Sequence, residues 1–191
     1  GGTDRAIRVW DLATGQGKTI SKDHEGDVRG LTLLGDGRSL ISAGGDGYLR
    51  LYDLAAMKET KSVKAAPEGQ IISLTLSLGE RNLAVGTEGG SVMLYDPEKL
   101  ALRTTQASVH QGGALALGFL PGGTRMFSLG GDHSLKAWEG EPGPLRLLVG
   151  HKGPVRHAAY SPDGRWVLSG GGWPEGDGTL RLWDATTGRL I

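Results

Sequence analysis

The stretch of sequence that decides the fold covers residues 150–184 and reads GHKGPVRHAAYSPDGRWVLSGGGWPEGDGTLRLWD. Residues 155–160, 166–170 and 179–183 are short, largely apolar runs with an alternating character, which is typical of β-strands. The turn residues between them, as in Ser161-Pro162-Asp163-Gly164, favour tight connections. We therefore expect three consecutive strands here, followed by a truncated outer strand at residues 189–191.

The last two residues of this stretch belong to a repeated pair, an aromatic residue followed by an acid. The acids follow one another at intervals of 42, 43, 43 and 45 residues. A period in the forties with this dipeptide is typical of propeller blades of four strands. Because one blade cannot bury both of its faces alone, the repeat predicts stacked sheets and a scaffold rather than a catalyst. The five pairs are Trp10-Asp11, Tyr52-Asp53, Tyr95-Asp96, Trp138-Glu139 and Trp183-Asp184.

The same pattern divides the whole chain into units. We expect an all-β fold, a partial propeller with four full four-stranded repeats and the last two strands of a preceding one. Because the sequence starts within a repeat, we also expect it to be a fragment or processed product of something longer. The units are 1–21 (end of the first repeat), 22–64 (second), 65–107 (third, degenerate), 108–149 (fourth) and 150–191 (fifth, with a hairpin insertion).

Composition narrows the classes of partner and compartment. Lys+Arg 21 balances Asp+Glu 21, so the formal net charge is zero and we expect no nucleic-acid partner. No apolar stretch approaches about twenty residues, so we expect no membrane span and no membrane partner. Cysteine is absent, which excludes disulfides and thiolate metal ligands without fixing the compartment. We expect a cytoplasmic location.

The repeats resemble the WD-repeat (WD40, beta-transducin-like) family over essentially the whole chain, and their glycine-rich, degenerate character is similar to long arrays in bacterial proteins. The resemblance rests on Gly150-His151, the turn at residues 160–164, Ser169, Asp177 and Trp183-Asp184. It implies a hydrogen-bonded tetrad of His, Ser, Asp and an aromatic residue that locks each blade. The implied tetrads are His24, Ser42, Asp46 and Tyr52; His110, Ser128, Asp132 and Trp138; and His151, Ser169, Asp177 and Trp183.

The third repeat departs from this pattern. Pro67, Val85 and Gly89 stand at the His, Ser and Asp positions, and only Tyr95 remains. We therefore expect packing alone to hold this blade. It should show the weakest amide protection of the blades.

His151, Ser169 and Asp177 are also the residue types of a hydrolase triad. The same types recur at equivalent positions in the second and fourth repeats, and no Gly-x-Ser-x-Gly motif surrounds the serines. This periodicity favours a structural role. The glycine-rich turns lack the Lys-Ser/Thr of a phosphate-binding loop, and no acidic or histidine cluster has metal-ligand spacing. We expect no catalytic residue, no metal and no cofactor.

The resemblance further implies a partner-binding face, formed by the loops at the tetrad end of the blades. Its contact positions lie three and five residues after the tetrad His and one residue before the tetrad Asp, and many of them are glycine here. Trp173 is added because it lies in the inserted hairpin of the fifth repeat, and exposed large apolar groups mark contact sites. The partner-binding candidates are Asp27, Arg29, Gln70, Ile72, Glu88, Leu115, Arg156 and Trp173.

We expect a non-catalytic scaffold that binds a protein or peptide. One alternative is that the chain is the regulatory or sensor portion of a longer signalling enzyme, a kinase or protease. Catalytic motifs in the flanking sequence would distinguish this alternative from a scaffold. A propeller enzyme with a central-channel site ranks last, because Asp27, Gln70 and His157 show no mutual pairing near the starts of the innermost strands. Flanking sequence or another copy would supply the missing blades.

Overall fold

The chain forms a row of antiparallel sheets that follow one another in chain order. A computed structural model describes residues 1–67, 69–120, 125–139, 145–148, 150–153, 155–171 and 177–191; for residues 139, 145–147 and 156 it describes the backbone only. Across these ranges every regular element is a strand, so no helix there could cross a membrane.

Each sheet is a meander in which consecutive strands pair. The first sheet has two strands, the next three have four each, and the fifth has three. The strands are β1 (Ile7–Trp10), β2 (Gly17–Ser21), β3 (Val28–Leu33), β4 (Ser39–Gly44), β5 (Tyr48–Asp53), β6 (Lys58–Lys64), β7 (Ile71–Leu76), β8 (Leu83–Thr87), β9 (Val92–Asp96), β10 (Ala101–Gln106), β11 (Ala114–Phe119), β12 (Arg125–Gly130), β13 (Leu135–Glu139), β14 (Leu145–Leu148), β15 (Val155–Tyr160), β16 (Trp166–Gly171) and β17 (Leu180–Asp184).

The fifth sheet corrects one detail of the expected architecture. Residues 189–191 were expected to form a fourth strand, but this segment makes one isolated bridge, between Leu190 and Trp183. A single bridge fixes too little backbone to count as a strand. The described residues therefore hold three complete four-stranded sheets, the second, third and fourth.

The acid of the repeated aromatic–acid pair shapes the turn that follows it. Asp53 Oδ1 accepts hydrogen bonds from the backbone N–H groups of Ala55 and Ala56, at 2.8 and 3.1 Å. Asp11, Asp96 and Asp184 make the same pair of bonds to the residues two and three positions later. A carboxylate that caps its own turn explains why aspartate recurs at this point of these four repeats.

The aromatic residue of the pair lies in the contact between neighbouring sheets. Tyr52, Tyr95, Trp138 and Trp183 are all buried, whereas Trp10 is 59% exposed. Trp10 belongs to the first sheet, which has no described sheet in front of it. Each aromatic ring therefore needs the preceding blade to cover it.

Apolar contacts hold consecutive sheets together. Phe127 and Leu135 of the fourth sheet pack in one cluster with Val167 and Trp183 of the fifth. Corresponding clusters join the first to the second, the second to the third, and the third to the fourth sheet. Since the tetrad residues lie where these sheets meet, sheet stacking positions the candidate site.

Candidate functional site

The fourth blade contains a directed chain of hydrogen bonds. Trp138 Nε1 donates to Ser128 Oγ at 3.1 Å, and Ser128 Oγ lies 2.7 Å from His110 Nε2. His110 Nδ1 lies 3.0 Å from Asp132 Oδ1. Because an indole N–H can only donate, the Ser128 hydroxyl accepts from it and donates its own proton to Nε2. The Nδ1–H of the imidazole then faces the carboxylate, so each polar group has a partner.

The fifth blade repeats this chain. Trp183 Nε1 donates to Ser169 Oγ at 2.8 Å, Ser169 Oγ lies 2.8 Å from His151 Nε2, and His151 Nδ1 lies 3.1 Å from Asp177. The tetrad residues named for these two blades from the sequence are thus brought together by the fold.

The second blade completes its chain differently. His24 Nε2 lies 2.6 Å from Ser42 Oγ, and His24 Nδ1 lies 2.9 Å from Asp46 Oδ1. The Tyr52 hydroxyl lies 3.2 Å from Ser21 Oγ, which belongs to the last strand of the first sheet. Burial raises the pKa of Tyr52, and hydrogen bonding with Ser21 and Ser42 opposes the rise. A tyrosine here therefore adds a polar link to the preceding sheet.

These Ser–His–Asp arrangements have the connectivity of a hydrolase triad, but their surroundings differ. The side chains of Ser42, Ser128 and Ser169 are fully buried. In the fourth and fifth blades an indole N–H also donates a hydrogen bond to the serine oxygen. A nucleophile must reach its substrate, so this geometry supports a structural role for the three sets.

The shifts in pKa favour the anionic forms of Asp132 and Asp177 and the neutral form of His110. Burial favours a higher pKa for Asp132, but hydrogen bonds from Ser134 and His110 outweigh it and lower the pKa to about 2. Burial lowers the pKa of His110, although Asp132 opposes this change. The Lys152 backbone N–H is the largest cause that lowers the pKa of Asp177, where burial again opposes.

Two further positions belong to each tetrad and were not predicted from the sequence. A cation follows each tetrad Asp by four residues: Arg50, Lys136 and Arg181 lie 3.4, 3.7 and 3.3 Å from the carboxylates. A glycine precedes each Asp by two positions except in the fifth blade, where the insertion lengthens this interval. A Cβ on Gly44 or Gly130 would collide with the imidazole and the carboxylate, so the tetrad requires glycine.

The third blade changes all of these positions together. Thr87 replaces the glycine, and Met93 replaces the cation. Thr87 Oγ1 accepts a hydrogen bond from Ser91 N–H at 3.1 Å, while the Tyr95 hydroxyl contacts Met93 Sδ at 3.8 Å. Without the imidazole and the carboxylate, a β-branched residue fits where the other blades need glycine.

The expectation that packing alone holds the third blade was wrong. At the opposite end of the blade, Asn82 N–H donates to Ser77 Oγ at 3.0 Å, and Arg103 donates to Asn82 Oδ1 at 2.9 Å. Ser77 and Asn82 are buried. Polar bonds at both ends of the sheet therefore add to the packing of this blade. The Ser77–Asn82 bond is not special to it, because Trp166 N–H donates to Ser161 Oγ at 3.0 Å at the same place in the fifth blade.

The partner-binding candidates on the innermost strands share one backbone feature. In β3, β7, β11 and β15 the pairing register shifts by one residue near the tetrad end. The extra residue is the one five positions after the tetrad His position. Such bulges redirect a side chain and are frequent at functional sites. The four bulge residues are Arg29, Ile72, Leu115 and Arg156.

Several candidates contact one another across blades. Arg29 lies 3.2 Å from Asp27 and 3.5 Å from Gln70 Oε1, so Asp27 and Gln70 are joined through Arg29. Among the described contacts, Asp27 and Gln70 therefore do not pair with each other directly, and His157 is exposed on the fifth blade.

The remaining candidates lie around the fourth blade. A Cβ on Gly113 would meet Ile72 Cδ1 at 2.8 Å and Glu88 O at 3.3 Å, which places Ile72 and Glu88 side by side. Leu115 is half-buried. Trp173 lies outside the described residues, as does the side chain of Arg156. Within the described part of the chain, no group of three or more potential ligands could hold a metal ion.

Consecutive four-stranded antiparallel sheets, stacked face to face and locked by buried tetrads, define part of a β-propeller. The family model described as "WD domain, G-beta repeat" matches residues 16–53 and 142–184. The chain belongs to the WD-repeat family.

Curated relatives match nearly the whole chain. The serine-threonine kinase receptor-associated protein of Homo sapiens is 30% identical over 204 residues, which cover 99% of this chain and 52% of the relative. The nuclear distribution protein PAC1-2 of Uncinocarpus reesii is 28% identical, over 97% of this chain and 35% of the relative. Apoptotic protease-activating factor 1 of Rattus norvegicus is 24% identical, over 100% of this chain and 15% of the relative. The chain thus spans about half or less of these relatives.

Proposed function

We propose that this chain is a non-catalytic platform that binds a protein or peptide at the tetrad end of its blades. The observation that carries the proposal is the row of four bulges, one at the same position of each innermost strand. A bulge takes its side chain out of the regular pleat, so four consecutive blades present variable residues on one rigid edge.

The chemistry of this face favours a mixed epitope. The bulge residues are Arg29, Ile72, Leu115 and Arg156, two cationic and two apolar. Asp27 neutralises part of the Arg29 charge at 3.2 Å, and Glu88 is exposed nearby. A polyanion such as nucleic acid would meet these carboxylates, whereas a peptide with an apolar centre and polar flanks would match the row.

Further blades should cover the two ends of the sheet row. Leu168, Leu180 and Leu182 of the fifth sheet are exposed, although Phe127, Leu135 and Ala137 are buried at the same positions of the fourth. At the other end, Leu31 and Leu33 of the second sheet are exposed. Apolar faces of this kind mark contact sites. Flanking repeats or another copy would cover these faces.

The cytoplasmic location of the protein stays a prediction.

Light scattering after size-exclusion chromatography tests the covering of these ends. A discrete closed oligomer would support completion by another copy, and polydisperse aggregate would support completion by flanking repeats. A compact, stable monomer would contradict the need for either.

Peptide selection followed by substitution tests the binding face. Peptides selected on this chain should bind at least tenfold more weakly to the Arg29→Ala and Ile72→Ala variants, because both side chains leave the proposed contact row. Arg81→Ala and Leu78→Ala are matched controls, since both residues are exposed in the loop between β7 and β8 at the opposite end. Equal loss in the controls, or unchanged affinity in both test variants, would contradict the proposed face.

A further inference from the structure

The third blade has a pocket at its tetrad end. Its volume is about 290 Å³. Thr87 and Met93 form buried walls, while Pro67 and Gly89 are exposed at its rim. The lining residues are Ala66, Pro67, Thr87, Gly89, Ser91 and Met93.

This pocket stands where the other blades place their tetrad. The β8–β9 register matches Val85 with Met93, as the β4–β5 register matches Ser42 with Arg50. Pro67 and Gly89 of the pocket are therefore equivalent to His24 and Asp46 of the second blade. In the second, fourth and fifth blades an imidazole ring fills this location and touches the carboxylate. The third blade keeps the same inter-blade site without its ring.

The pocket also lacks the charges of the other sites. The carboxylate position is glycine and the cation position is Met93, so none of the described residues that line the pocket has a charged side chain. Ser91 Oγ accepts the Ser108 N–H at 3.3 Å and retains its own proton for a ligand. The Met93 sulfur is polarisable, and thioether sulfur makes favourable contacts with aromatic rings.

We propose that this pocket receives an uncharged aromatic side chain of a bound partner protein. The inference rests on the proposed function and adds a specific subsite to the same face. Ring occupancy of the equivalent site in three blades supports the shape, and the absence of both tetrad charges supports an uncharged ring. Gly89 adjoins Glu88, one of the exposed partner-binding candidates, so the pocket is continuous with the proposed face.

The probe for this pocket is p-cresol, which carries the ring and hydroxyl of tyrosine. Methyl NMR of the 191-residue chain should show a saturable ring-current shift of the Met93 methyl group, with a dissociation constant on the order of millimolar. Met126 is an internal control, because it is buried in the contact between the third and fourth blades. The proposal fails if Met93 does not respond, if Met126 responds equally, or if 2-methylpropanol binds more tightly than p-cresol.

A charge introduced at the rim provides a second readout. Gly89 has open space for a side chain, since a Cβ there has its nearest neighbour, Thr87 Oγ1, at 3.9 Å. Gly89→Asp should weaken p-cresol binding severalfold and make protonated 4-methylimidazole the tighter ligand. Gly89→Asn adds no charge, so p-cresol should remain the tighter ligand. An identical effect of both substitutions would overturn the assignment of an uncharged site.

The two proposals can fail separately. The p-cresol titration needs no partner, whereas the peptide assay with Arg29→Ala and Ile72→Ala needs no pocket. Saturable p-cresol binding together with unchanged peptide affinity in those variants would keep the pocket and remove the binding face.

Discussion

The third and fourth blades have the same strand order and pairing, yet they stabilise it with different residues. Both have four strands, and each is covered on both faces by neighbouring sheets. The fourth blade joins a half-buried carboxylate to a buried imidazole, hydroxyl and indole in one hydrogen-bonded chain. Among its described residues, the third has no such chain: Thr87 bonds Ser91 at the tetrad end, and Arg103 reaches Asn82 at the other end.

The difference shows that the tetrad is part of a larger set of dependent residues. Glycine at residue 130 leaves room for the ring, and Lys136 offsets the carboxylate. Where the ring and carboxylate are absent, the glycine becomes Thr87 and the lysine becomes Met93. A substitution at one of these positions should therefore reduce stability most in a blade that keeps the other tetrad residues, the glycine and the cation.

The largest effect is expected when the third-blade threonine is placed in the fourth blade. Gly130→Thr forces a Cβ onto His110 and Asp132, so we expect the free energy of unfolding to fall by about 3 kcal/mol or more. Thr87→Gly, the reverse change, should cost only about 1–2 kcal/mol through lost hydrogen bonds and chain entropy. Denaturant titration measures both, and equal losses would contradict the dependence between positions.

Removal of the central hydroxyl should have the next largest effect. Ser128→Val copies the third blade and leaves Trp138 Nε1 and His110 Nε2 without a partner, at a cost of about 2–3 kcal/mol. Ser134→Ala is a matched control, because Ser134 is half-buried and contacts Asp132 and His110 Nδ1, away from the Ser128 hydroxyl. Its loss should be about 1 kcal/mol. If thermal unfolding gave the reverse order, the chain of bonds would not carry the stability.

Acid should weaken the fourth blade before the third. The pKa of folded His110 lies below its ordinary value of 6.5, so its contribution is full above 6.5 and is lost as the pH falls below it. The contribution of Asp132 is full above 3.8 and is lost as the pH falls towards about 2. Amide exchange corrected for intrinsic rates should show protection of β12 falling from pH 7 to pH 5, with a smaller change in β8. A parallel change in both strands would count against a local cause.

The smallest effect is expected for the cation. Lys136→Met copies Met93 and removes an ion pair of 3.7 Å with a partly exposed Asp132, so we expect a loss of about 0.5 kcal/mol. The loss should shrink in high salt, since screening weakens such pairs. A salt-independent loss would indicate that the lysine acts through its packing or its hydrogen bond to Val109 O.

The sequence was sufficient for the strands and the tetrads because both repeat at a fixed period. Glycine and aspartate turns delimit β4 and β5, and the aromatic–acid pair ends β5 and β9. The prediction of an outer strand at residues 189–191 was wrong, because a strand needs a paired neighbour along its length and only Leu190 makes a bridge.

The Arg103–Asn82 bond and the pocket of the third blade could not be read from the sequence. Pro67 and Met93 line one pocket although they are 26 residues apart in the chain. The Arg29–Gln70 contact likewise joins two different blades. Contacts of this kind follow from the position of one sheet on the next, and no periodic pattern records them.

Amide hydrogen exchange of the central strands at neutral pH is the decisive test of whether the tetrad locks a blade. The comparison is between β8 and β9 of the third blade and β12 and β13 of the fourth, all of which lie inside complete sheets. We expect faster exchange in the third blade, because Pro67, Val85 and Gly89 leave β8 and β9 without the tetrad. Slower exchange in β8 and β9 than in β12 and β13 would contradict the claim that the tetrad locks a blade.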